Sequence, residues 1–342
     1  MVTAGLAPVA NWNAGARMEA ASVTSPAGLR RTRKRGDRIG DVLLYGLTAF
    51  ASLVALLIVA AIVWRVTDGA WPAIKVFELG FLWHNEFNPV TSKFGARDLI
   101  IGTLVTSFGA MLLAAPLSIA IGLFLSELAP PAVRGPVGTL IEMLAAVPSV
   151  VIGLWGIFVL APFDAQHVQP FLGALFGWIP IFAHGGDKVE STVFTAMIVL
   201  TIMIIPITSS ICRELFVGVP TELEEGAIGL GATRWEMVKT VVIPTVRGGV
   251  VAAVILGLGR ALGEAIAVSQ VIGNFTPLKL SIFEPGDTLA SRVANQYQGA
   301  VSNLHVASLI YLALILLAIT FISNFTAQRV VKRFEFQRTG GS

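Results

Sequence analysis

The chain has 342 residues, 55% of them hydrophobic and only 13% charged, with 24 Lys and Arg against 21 Asp and Glu and a single Cys. About 25% charge is usual for a soluble domain, and half of that cannot cover a water-soluble surface of this size. A soluble enzyme, a disordered chain and a disulfide-stapled scaffold are excluded. The long apolar blocks point instead to an all-α, polytopic membrane protein. Cys212 reads as a small residue packed in a helix.

Residues 1–41 stand apart from the rest. Ala, Gly, Pro and Ser dominate the beginning, and Arg30, Arg31, Arg33, Lys34, Arg35 and Arg38 follow. Such a segment has too little hydrophobic periodicity to fold alone. It is expected to be a disordered basic cytoplasmic tail that marks topology or meets anionic membrane lipid. No cleavable signal peptide is expected, because the first apolar run begins near residue 42 and exceeds the ~7 to 15 residues of a signal core. Met18 is an alternative start to Met1.

Uncharged runs lie between Asp41 and Arg65, Asp98 and Glu127, Glu142 and Asp164, and Glu190 and Arg213. A fifth, from Arg247 to Lys279, is interrupted only by Arg260 and Glu264, and a sixth lies between Arg292 and Arg329. Each can hold the ~20 residues that cross a bilayer as helix, so six spans are predicted. A further uncharged stretch between Asp164 and Asp187 has only Phe171 to Phe182 as its apolar core, with Pro180 inside it. It is expected to be extracytoplasmic and non-spanning, with Trp178 at headgroup level. With both termini inside, 16 Lys and Arg fall on the cytoplasmic side against 7 outside, which orients the protein N-in and C-in. The expected organisation is a tail (1–41), a first transmembrane helix with an extracytoplasmic loop (42–98), a five-helix core (99–328) containing a cytoplasmic loop (218–244), and a short cytoplasmic tail (329–342).

That cytoplasmic loop carries two candidate capping boxes, Thr221 with Glu224 and Thr233 with Glu236, on either side of Gly231. The pattern predicts a short helix, a glycine turn and a second helix running into the fifth span. Leu223, Ala227 and Leu230 share helical spacing, and Trp235 and Val238 continue the stripe. Such a helix pair fits a groove on a partner protein or the bilayer surface. Glu222, Glu224, Glu225 and Glu236 outnumber Arg234 and Lys239, which favours the protein partner.

Within the fifth span, Arg260 and Glu264 stand at i, i+4 and are expected to share one helix face. A charge at mid-membrane costs roughly 2.5 to 3.5 kcal/mol on insertion scales, so such a pair faces protein or water and marks a functional site or an ion pair that joins helices. Gly259 and Gly263 have small-xxx-small spacing and Gly257 adds to it, which allows close packing at a subunit interface or within the subunit. Glu142 opens the third run, and Pro148 is expected to bend that span, as Pro116 and Pro206 interrupt the second and fourth. No phosphate-binding glycine loop and no zinc-spaced His or Cys cluster occurs, so any ATP chemistry belongs to another chain.

Glu225, Gly226, Ala227, Gly231, Val241, Ile243 and Pro244 match the spacing of the EAA loop of ABC importer permeases, with Gly226 where that family usually has Ala. Further stretches resemble the PstC family of phosphate-importer permeases. These are Phe87-Asn88-Pro89, Phe94-Gly95-Ala96, Gly102 to Ser107, Ala114 to Ser118, Glu142 to Ser149 leading to Gly156, and Gly257 to Glu264. Ala265 stands where that family commonly has Thr.

The resemblance implies a type I ABC importer permease architecture in a bacterial plasma (inner) membrane, with no catalytic role and no cofactor or metal bound by this chain. It assigns Glu225, Ala227 and Gly231 to ATPase coupling. It also implies a PstA-like second permease, a PstB-like ATPase dimer that uses ATP, and a PstS-like extracytoplasmic phosphate-binding protein, with no nucleic-acid partner. Arg260 offers a planar fork to an oxyanion and Glu264 an acceptor for a phosphate hydroxyl, so these two are the expected substrate-pathway residues. Another oxyanion importer, for molybdate or sulfate, and an ATP-independent secondary transporter are the alternatives.

Overall fold

A computed structural model describes residues 35–183 and 189–339. The greater part of the expected basic tail, Met18 included, lies outside the described residues, as do Asp187 and Lys188. The chain divides into two units, Met1–Ala60 and Ala61–Ser342. In the first, the described residues belong to helix α1 (Arg35–Phe77), which continues into the second. From Val42 to Val59 its large side chains are exposed, as expected of a helix whose surroundings are lipid. Thr48 and Ser52 donate their hydroxyls to carbonyls one turn back, each at 2.8 Å, so neither presents an unpaired donor to the hydrocarbon.

The second unit holds the remaining elements. Helix α2 (Arg97–Leu123) runs on into a π turn, α3 (Pro131–Ala145) follows, and α4 (Ser149–Trp155) continues through π turns and α5 (Ala161–Phe163) into α6 (Gln169–Phe176). Then come α7 (Val193–Val217), α8 (Thr221–Gly229), and α9 (Arg234–Met237), which passes through a π turn into α10 (Ile243–Gly263). The order ends with α11 (Ile266–Val271), α12 (Leu289–Gln296) and α13 (Asn303–Thr339).

Six stretches among the described residues are long and apolar enough to cross a membrane: Gly40–Leu82, Arg97–Leu128, Ser149–Phe176, Val193–Val217, Arg234–Gly263 and Asn303–Arg329. Their number agrees with the sequence expectation, but the third is displaced. It starts at Ser149, because Pro148 ends the preceding helix outright and becomes the N-cap of α4 rather than a bend. Glu142 belongs to the separate helix α3, where its carboxylate lies 4.0 Å from Arg213. At the other end the helix runs past Asp164 to Phe176, so half of the supposed non-spanning segment extends the third span. Pro116 and Pro206, by contrast, sit inside α2 and α7 without breaking them.

Asp164, read from sequence as a span boundary, is fully buried. Its Oδ2 accepts from Gln169 Nε2 at 3.0 Å and from Thr195 Oγ1 at 2.8 Å, which ties the third helix to the start of α7. Helices α2 and α7 pack closely where Gly122 meets Cys212, whose Cβ would stand 2.9 Å from any Cβ at that glycine. A second apolar cluster joins α1, the 78–96 connection and α13, with Phe81 stacked on Tyr311 at 4.5 Å and Phe94 on His305 at 5.4 Å. Beside it Arg292 pairs with buried Asp287 at 2.6 Å and lies over the Phe87 ring. Burial pushes the Asp287 carboxyl up from its ordinary value, and Arg292 and the Thr288 amide pull it back.

Candidate functional site: a broken span and a glycine turn

The fifth span does not carry Arg260 and Glu264 on one helix. Helix α10 ends at Gly263, and Glu264 is extended with φ −74° and ψ 117°. The expected shared face is therefore absent, and no ion pair joins the two residues among those described. Gly263 supplies the weak helix position, and a carboxylate is more useful at a helix start than inside a helix end. Glu264 Oε1 accepts from the Ala267 amide at 3.3 Å and so closes the first turn of α11. Ala265, which occupies the formal cap position, has no hydroxyl to do this.

Arg260 lies in the last turn of α10, where a cation is favoured by the helix dipole, and it is exposed on this chain. The segment after the break is held firmly. Any Cβ at Gly153 would collide with Gln270 and come within 2.9 Å of the Ala267 Cα, and one at Gly156 would stand 3.0 Å from both Val199 and Val271. Helix α11 is thus seated against the third span and α7. Ala267, Val268 and Val271 are buried there.

The three glycines part company. A Cβ on Gly257 would lie 2.8 Å from Thr208 Oγ1 and 2.9 Å from Ile204, and one on Gly259 would lie 3.2 Å from Asn324 Oδ1. Both therefore serve close packing within this chain. Gly263 has nothing within 4 Å and leaves the surface beside Arg260 open.

The loop after α7 folds as the helix, turn and helix that its residues predict. Gly231 has φ +92°, its amide donates to Ile228 O at 2.9 Å, and the Ala232 amide donates to Ala227 O at 3.1 Å. These are the two bonds of a Schellman turn. The Thr233–Glu236 capping box is formed, with Glu236 Oε2 accepting from the Thr233 amide at 2.8 Å. The Thr221–Glu224 box is not: Pro220 is the N-cap of α8 and no side chain bonds that end. Glu224 is half-buried instead, and burial, with the Glu127 carboxylate adding to it, pushes its carboxyl up.

The expected apolar stripe is also divided. Ala227 and Val238 turn inward onto Phe216, Val219 and Met237, while Glu225 points outward. Leu223 and Ile228 are half exposed, Trp235 is 69% exposed and Leu230 is 92% exposed. Ile228 stands about 100° around the helix from Ala227 and so lies outside the stripe that the spacing picks out. A Cβ added at Gly231 would meet nothing within 4 Å, so open space lies beside the turn. Large apolar side chains presented in this way are the pattern of a protein-docking surface.

A family profile described as the binding-protein-dependent transport system inner membrane component matches residues 118–336. The phosphate transport system permease protein PstC of Pasteurella multocida (strain Pm70) is 42% identical over 306 residues, 89% of this chain and 95% of that protein. The PstC 2 protein of Mycobacterium tuberculosis (strain ATCC 25618 / H37Rv) is 37% identical over 306 residues, 88% of this chain and 93% of its own length. Among solved structures, a bacterial alginate ABC transporter in complex with an alginate-bound periplasmic protein superposes with a TM-score of 0.56 at 19% identity, covering 88% of this chain and 99% of that one. An inward-facing MetNI methionine ABC transporter gives 0.51 at 16%, covering 70% and 95%. At such identities these two share the fold alone.

Proposed function

The chain belongs to the family of binding-protein-dependent transport system inner membrane components, and from that premise we propose that it is the phosphate-translocating permease subunit of an ATP-driven importer. It is a multi-pass inner-membrane component and not itself an enzyme. An ATPase and a substrate-binding protein complete the system. Their finer identities are those that the sequence resemblance implies: a PstA-like second permease, a PstB-like ATPase dimer and a PstS-like binding protein. ATP is then consumed by the partner.

The observation that supports the coupling role is the Gly231 turn, which holds Leu223, Ile228, Leu230 and Trp235 exposed on a capped helix, turn and helix. Glu225, Ala227 and Gly231 divide the work: Glu225 faces the partner, Ala227 seats α8 on the permease, and Gly231 sets the angle between α8 and α9. Force applied to that frame passes through α9 into α10, and α10 ends at the break beside Arg260.

Phosphate near neutral pH is a mixture of mono- and dianion that keeps at least one proton, so its path needs a cation and can use an acceptor. Arg260 supplies the planar cation. Glu264, with Oε1 committed to Ala267, leaves Oε2 to accept from the phosphate hydroxyl. Reconstitution of the chain with its ATPase, second permease and binding protein, followed by radiolabelled phosphate uptake, tests the proposal. ATP-dependent uptake that excess molybdate and sulfate fail to compete is expected. Equal competition by those anions overturns the phosphate assignment, and uptake without ATP overturns the importer class.

A further inference from the structure

The second unit's portion of α1 has two contrasting faces. Ala70 and Ala73 are fully buried, and a Cβ on Gly69 would lie 2.9 Å from Ile310 Cδ1, so that face packs on α13. Trp64, Asp68, Trp71 and Lys75, spaced at i, i+4, i+7 and i+11, form the outward stripe. Trp64, Thr67, Asp68 and Trp71 line a shallow cavity of about 290 Å³. Thr67 spends its hydroxyl on Val63 O at 2.7 Å, and the Asp68 carboxylate is the charged group among the four lining residues. Asp68 has no ion-pair partner among the described residues, although Arg65 is one turn away.

Depth and charge say what the cavity takes. The uncharged run from Val42 to Trp64 extends roughly 34 Å as helix, about the thickness of the hydrocarbon core, so the next two turns emerge at headgroup level. The Trp71 ring already receives one cation, with Lys75 Nζ 5.7 Å from its centroid. Indole faces attract ammonium groups, and a neighbouring carboxylate adds charge attraction. We propose that Trp64, Asp68 and Trp71 form a binding site for the alkylammonium headgroup of a zwitterionic phospholipid. An anionic lipid is disfavoured by Asp68, and a plain aromatic belt requires no carboxylate between its rings.

The test uses the intact complex, reconstituted in vesicles of equal phosphatidylethanolamine and phosphatidylglycerol, with retained lipids read by native mass spectrometry. The wild type should retain phosphatidylethanolamine preferentially. Asp68→Asn and the double change Trp64→Leu, Trp71→Leu should each lower that preference about 3- to 10-fold without altering phosphatidylglycerol, while Asp68→Glu should keep it. Asp68 faces away from the packed side, so complex assembly in Asp68→Asn is a control expected to hold. Unchanged lipid preference in Asp68→Asn, or equal loss of both lipids in the variants, overturns the site.

Discussion

Glu264 Oε1 accepts the Ala267 amide at 3.3 Å, and in doing so starts a new helix where the fifth span would otherwise have continued. This single bond separates the roles of the two membrane charges. Arg260, on the helix that ends, is open to a ligand. Glu264, on the turn between, holds the next helix in place.

The two residues should therefore fail differently. Arg260→Ala is expected to abolish ATP-dependent phosphate uptake while the complex still assembles, and Arg260→Lys should restore only part because an ammonium lacks the planar fork. Glu264→Gln keeps an acceptor for Ala267 and should preserve thermal stability, whereas Glu264→Ala should lose about 0.5 to 2 kcal/mol as well as uptake. Uptake at matched expression and thermal unfolding in detergent check both. Wild-type uptake in Arg260→Ala would remove that residue from the path.

Ala265→Thr places a hydroxyl at the cap of α11. It should be tolerated and, by sharing the Ala267 and Val268 amides, should partly rescue the stability of Glu264→Ala. A double-mutant thermal series measures the rescue, and strict additivity would show that the two positions do not share a cap.

Gly231→Ala forces a side chain to φ +92°, at a cost of about 1 to 2 kcal/mol in local geometry but with no steric clash. The expected result is a folded permease whose ATPase hydrolyses ATP without matching phosphate uptake. The ratio of phosphate transported to ATP hydrolysed is the readout, and a normal ratio counts against the coupling role.

Leu230→Asp and Trp235→Asp should each reduce the ATPase that co-purifies with the permease by roughly 10-fold or more, since buried aromatic and apolar anchors dominate interfaces. Val238→Asp should instead unfold the loop, because Val238 is buried in the permease itself. Equal ATPase recovery in the first two variants would place the docking surface elsewhere.

Gly257→Val should destabilise the fold by about 1 to 3 kcal/mol, because its Cβ meets Thr208 and Ile204 below 3.0 Å. Gly263→Ala meets nothing and should leave stability nearly unchanged. Thermal aggregation of the two proteins in detergent distinguishes them, and equal losses would show that both glycines are packed.

The membrane class, the number of spans and the glycine turn between α8 and α9 were legible in the residues themselves. Long uncharged runs can be satisfied only by spanning helices, and a Gly between helix signals before a Thr-x-x-Glu box has a local answer that needs no distant contact. Where a helix stops depends on what waits to receive it, and there tertiary structure decided. Pro148 ended the helix instead of bending it, which moved the third span, and Asp164 entered a helix with its Oδ2 held by Gln169 and Thr195. Periodicity put Arg260 and Glu264 on one face, yet the helix ends at Gly263 and α11 takes the seat that Gly153 and Gly156 leave for it. The same holds for Ala227 and Leu230: helical spacing groups them, and only the core formed by Phe216, Val219 and Met237 decides which one turns in and which one stays exposed.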